Sequence, residues 1–323
     1  MYKNIILLIK YSNQQLAFHK LKRKSFQNSV VTKYPSKLKN NASLQDKLEA
    51  ALKRFEYVLL NHCTYSELTN FYHNLGNLKV DYKNFKISNF ILNEHTVGVY
   101  KAQKNKIFIT EDTFKLAIFH ELFHMASTRT EKSDIYSGFS ISTYNTILGN
   151  GLNEGYTELL NQRYFNADSY AYFYLTVIAS NLEVIIGEQR MRYLYMTANL
   201  QGLIKDLQAY FFEEEIIKFI TNIDILKPYL NEDNLSKNEW LKVKEIFQEI
   251  NKFLIVGYGR KLQKYCQDEN IRKQILDEFV VFLITEFLTK DHSYEILSEQ
   301  EIDNYCKLAL TPRIFCDEER GRR

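Results

Sequence analysis

From Phe114 to Ser127 the chain reads FKLAIFHELFHMAS, apolar except for Lys115, Glu121, two histidines and the closing serine. The run contains no glycine or proline, and Asp112 with Thr113 supplies a helix start, so the pattern predicts one buried helix. Side chains advance about 100° per residue, which puts His120 and His124 about 40° apart on one face. Leu116, Ile118, Phe119, Leu122, Phe123 and Met125 cover almost every other side. This is a core helix with one polar stripe. Burying a polar group without a partner costs on the order of 2–7 kcal/mol, so whatever the chain folds into must bring partners to that stripe.

Two imidazoles four residues apart on a helix can converge on a single ion. Glu121 points about 60° from His124, near enough to hydrogen-bond a water on that ion and badly placed to ligate it, which predicts a general base. A catalytic zinc takes three protein ligands and keeps one position open, so a third acid is required, on a second helix downstream. Glu154 in GLNEGYTELL is the candidate, with Glu158 on the same face one turn later as its competitor.

HELFH followed by LNEGYTE resembles the gluzincin group of zinc metallopeptidases, and the wording LNEG is similar to the aminopeptidase branch of that group. The resemblance implies zinc as cofactor, His120, His124 and Glu154 as metal ligands, Glu121 as general base, and Glu158 as the acid that orients the first histidine. A carboxylate in that place fits the general habit of metal-bound imidazoles, which donate their second N–H to an acid. It further implies a peptide or protein substrate, and a tyrosine or histidine that steadies the oxyanion; Tyr136, Tyr144 and Tyr156 are nearby in sequence, and none is singled out. The resemblance covers only about residues 97–165. The interval from His124 to Glu154 is longer than in the aminopeptidase branch and its G-x-M-E-N motif is absent, so it implies a metallopeptidase rather than an aminopeptidase. The alternative is a zinc-binding regulatory or interaction protein on the same fold, which would have no use for Glu121; a hydrolase of non-peptide amides would share the site and differ in its pocket.

Around this motif the periodicity predicts an α+β fold, predominantly helical, with a small zincin-like sheet and active-site helix followed by a helical C-terminal half. Residues 46–75 carry helical spacing ended by Gly76. LKVDY, ISNFILN and TVGVYKAQKNKIFIT read as strands, the last as two, joined near Lys104 and Asn105. Residues 128–150 read as a polar loop holding at most a short hairpin. From about residue 168 the chain is helical almost to the end, and the apolar residues of WLKVKEIFQEINKFL mark a packing helix. The expected division is a basic segment at 1–55, a catalytic core at 56–165 and a helical domain at 166–323.

Charge is nearly balanced, with Lys+Arg 42 against Asp+Glu 39, so no global field calls for a polyanionic partner. The first 45 residues are basic without an acid, which reads as a solvated arm, with nucleic-acid or anionic-surface contact as the alternative. Cys63, Cys266, Cys306 and Cys316 lie far apart, as reduced thiols of a cytoplasmic protein would. The start MYKNIILLIKYS lacks a cleavage site, and FVVFLITEFL is too short to span a bilayer and contains Glu286. GYGR at 257–260 reads as a helix-breaking turn rather than a phosphate loop. His62 beside Cys63 makes no thiol nucleophile, and His19, His73, His95 and His292 read as surface or packing residues. The 23 tyrosines and 22 phenylalanines sit at core-like spacing and read as packing.

Overall fold

The computed structural model describes residues 43–81, 98–167, 172–230, 235–288 and 296–311. Almost all of the basic arm, the candidate strand ISNFILN, His19, His95, His292 and Cys316 lie outside the described residues. Within them the fold is α+β and predominantly helical, as the periodicity predicts.

The helix expected over 46–75 is two helices. α1 (Leu44–His62) starts at Ser43, whose hydroxyl and the Asp46 carboxylate cap each other's backbone. It stops at Cys63, because Thr64 and Glu67 form a new start: Glu67 Oε2 accepts from the N–H and the hydroxyl of Thr64 at 2.7 and 2.8 Å. A 3-10 turn (Tyr65–Leu68) and α2 (Thr69–Leu75) follow. Glu67 is buried and bonded to Arg192 Nε at 3.1 Å, a tertiary partner 125 positions away that local periodicity does not reveal.

The first sheet has the order β1-β3-β2, with β1 (Lys79–Asp81) parallel and β2 (Gly98–Lys101) antiparallel to the central β3 (Lys106–Ile109). The β2–β3 link falls at the expected place, a 3-10 turn over Ala102–Lys104 closed by Asn105 at φ 44°, a left-handed position that asparagine tolerates. Ile107 and Ile109 alternate into the core, and α3 (Phe114–Ala126) packs across β2 and β3. The Ser127 hydroxyl donates to Phe123 O at 2.9 Å and the Thr128 hydroxyl to His124 O at 2.6 Å, which closes the end of α3.

Residues 128–150 correct the loop expectation. They form a four-stranded antiparallel meander of β4 (Thr128–Glu131), β5 (Asp134–Ser137), β6 (Ser140–Ser142) and β7 (Ile147–Leu148). The strands have four residues or fewer, too short for alternation to register, and one turn places Lys132 at φ 55° where an Asn-Gly pair would have been the readable signal. The meander delivers the chain to α4 (Asn150–Phe165), which packs against α3.

The rest is helical: α5 (Phe173–Ile186), α6 (Glu188–Met196), α7 (Leu200–Leu207), α8 (Glu213–Tyr229), α9 (Lys237–Tyr265), α10 (Glu269–Leu288) and α11 (Glu299–Leu310). GYGR is not a turn but lies inside α9. Its glycines serve close packing: a Cβ on Gly259 would fall 2.4 Å from Ala309 Cβ of α11, and one on Gly257 2.9 Å from the Phe211 ring. One apolar core runs from Leu48 to Ala309, and α1 passes through residue 55. Among the described residues no helix is long and apolar enough to cross a membrane, and Cys63, Cys266 and Cys306 are free thiols.

Candidate metal centre

α3 and α4 meet along the polar stripe. α3 presents His120, Glu121 and His124, and α4 presents Asn153, Glu154 and Glu158. The core holds this register from beside the stripe: Phe123, about 60° round α3 from His120, sits edge-on to Phe55 of α1 and Phe165 of α4, with ring centres 4.9 and 5.9 Å apart. Losing such a fully buried ring typically costs about 3–5 kcal/mol, so the helices that carry the site are firmly located.

The stripe finds its partners there. His120 Nε2 lies 3.0 Å from His124 Nε2 and 3.1 Å from Glu154 Oε2, and His124 Nε2 lies 3.3 Å from the same oxygen. These three residues form a buried group that can hold a metal ion, with their ligand atoms all within 4.8 Å of one another. Glu158, 1% exposed, accepts from His120 Nδ1 at 3.0 Å and so fixes that ring with Nε2 turned inward. Between the two acids the structure separates the roles: Glu154 reaches both Nε2 atoms, while Glu158 stands behind His120.

Asn153 stands against the outer ring nitrogen of His124. Its amide nitrogen lies 3.3 Å from His124 Nδ1, and its oxygen accepts from the Phe139 N–H at 3.1 Å. Room for Asn153 depends on Gly138, at φ 54°, because a Cβ there would fall 2.2 Å from the Asn153 oxygen.

Glu121, 5% exposed, is close to the trio and not part of it. Burial pushes its carboxyl above the ordinary range, with Glu154 adding to the push, while His120, His124 and the Tyr100 N–H pull it back. The edge strand β2 covers it closely, since a Cβ on Gly98 would fall 3.1 Å from Glu121 Oε1. Burial favours a neutral ring at His120, but hydrogen bonds to Glu154 and Glu158 win and push it up to about 10. For Glu154 burial is likewise outweighed, and His124 and Lys227 hold its carboxyl well below the usual range.

Two further residues complete the surroundings. Tyr172, just before α5, stacks on His120 with ring centres 5.6 Å apart, and Lys227 of α8 donates to Glu154 Oε1 at 3.1 Å. Neither shares a local pattern with the motif, so sequence spacing had no means of finding them. The three tyrosines near the motif in sequence are placed otherwise. Tyr156 is fully buried and donates to Glu183 at 2.9 Å, Tyr144 stands 94% exposed between β6 and β7, and Tyr136 lies under the Arg129 guanidinium. His62 lies beside Tyr164, with ring centres 4.6 Å apart, and His73 is exposed, in keeping with packing and surface roles.

Comparison of the chain with protein-family models, with curated proteins and with solved structures finds no match.

Proposed function

We propose that this chain is a zinc-dependent metallopeptidase of gluzincin type that hydrolyses peptide bonds, with Glu121 as general base. The spacing of the donors supports zinc. A tetrahedral ion about 2.0–2.1 Å from each ligand needs ligand atoms roughly 3.4 Å apart. The separations here are 3.0, 3.1 and 3.3 Å, from two nitrogens and one carboxylate oxygen. Bound there, zinc supplies Lewis acidity and brings the pKa of a water toward neutrality.

The observation that carries the reading is Glu121. A metal held for structure alone needs no additional acid buried beside it, and burying one is costly. Its carboxyl is raised by burial, the direction that moves a base toward working near neutral pH. Glu121 takes a proton from water and returns it to the leaving amine. Glu158 holds the His120 imidazole in the tautomer that leaves Nε2 free, so that ring does not have to reorganise during turnover.

The test is Glu121→Gln, examined for zinc content and for cleavage of a peptide library. Zinc should stay near one per chain and cleavage should fall by about 10²–10⁴-fold. A Gln variant that cleaves at the normal rate removes Glu121 from the chemistry. A wild-type protein that holds zinc and cleaves no peptide leaves the regulatory reading in its place.

A further inference from the structure

α8 grips the start of α4 at two points one helical turn apart. Asp224 accepts from the backbone N–H of Gly149 at 2.7 Å and of Gly151 at 2.6 Å, and Lys227 donates to Glu154 Oε1 at 3.1 Å. There is no slack between the two helices, since a Cβ on Gly151 would fall 2.6 Å from the Ile223 carbonyl oxygen. Lys227 is therefore presented by a fixed backbone, and its ammonium also lies 5.9 Å from the centre of the Tyr172 ring that covers His120.

The result is a divided carboxylate. Glu154 Oε2 faces both Nε2 atoms at 3.1 and 3.3 Å, while Oε1 is occupied by Lys227. A glutamate with both oxygens free can ligate through both and fill the position that a catalytic site must keep open for water.

We infer that Lys227 is a positioning residue for the metal site: by holding Oε1 it restricts Glu154 to one-oxygen coordination and preserves the open position. This rests on the metal-centre reading above. The test is cobalt substitution of the wild type, Lys227→Arg and Lys227→Met, read by visible absorption, which reports coordination number directly. Wild type and Lys227→Arg should show the intense bands of four-coordinate cobalt, and Lys227→Met should lose them for the weak bands of five-coordination. A Lys227→Met spectrum equal to wild type overturns the inference while leaving the metal site intact. A wild type that takes up no cobalt ends both. If Lys227→Met does not fold, Lys227→Gln, which removes the charge and keeps a polar tip, carries the same comparison.

Discussion

Gly98→Ala puts a single methyl group against Glu121, the proposed base. The new Cβ would lie 2.9 Å from Ala117 Cβ and 3.1 Å from both Cγ and Oε1 of Glu121. Ala117 Cβ is fixed to the α3 backbone and cannot rotate away, so β2 and α3 must part by a few tenths of an ångström. Glu121 can rotate, so its carboxylate turns aside. Overpacking of this kind costs about 1–3 kcal/mol, which at roughly 2–4 °C per kcal/mol lowers the melting temperature by several degrees. On the proposed function the larger effect falls on rate, because a displacement near 1 Å at a reacting group costs on the order of 10²-fold.

Zinc content should be unchanged, because Glu121 is outside the ligand trio. The assay is peptide cleavage by four proteins: wild type, Gly98→Ala, Glu121→Gln and the double variant. If the alanine acts through the base, it should slow the wild type about a hundredfold and add nothing once Glu121 is already glutamine, the non-additivity expected of residues acting as a unit. A Gly98→Ala protein that cleaves normally, or one that costs the same factor in the Glu121→Gln background, refutes the placement of Glu121 under β2.

Two other outcomes follow from the site. His120→Ala or Glu154→Ala should strip the metal, as elemental analysis would register, whereas Glu158→Ala should weaken metal binding by only about tenfold or somewhat more; full occupancy in Glu154→Ala would reassign the third ligand. In the metal-free protein His120 is pushed up to about 10, so at pH 8 it carries a proton that a metal must displace. Zinc binding at pH 8 should therefore release about one proton and tighten as pH rises toward 10, as titration calorimetry in two buffers of different ionisation enthalpy would show; zero release would contradict the charged ring.

What was legible in the sequence was local. His120, Glu121 and His124 lie within five consecutive residues, and a helix of about 100° per residue converts that spacing into geometry without reference to the rest of the chain. The same rule places Glu154 and Glu158 on one face of α4, and it also shows why nearness in sequence does not bring Tyr156 to the site. Two residues after Glu154, it points about 200° away, into the buried cluster where Arg163 pairs with Glu183. GYGR looked like a turn because glycines break helices locally, and only the approach of α11 to within contact of Gly259 shows that small residues were needed there.

What was not legible depends on which distant element arrives. Lys227 meets Glu154 across 73 positions and Glu67 meets Arg192 across 125, and nothing at either end of those pairs marks it among so many lysines, arginines and acids. The consequence is specific to this site. The trio of His120, His124 and Glu154 can be written down from two short motifs, but part of what surrounds it comes from the turn at Gly138, from Tyr172 and from α8. A fragment ending after α4 would contain His120, His124 and Glu154 and still lack Lys227 and Asp224, the contacts that orient Glu154 and anchor the amides ahead of it. The helical half is in this sense part of the candidate metal centre.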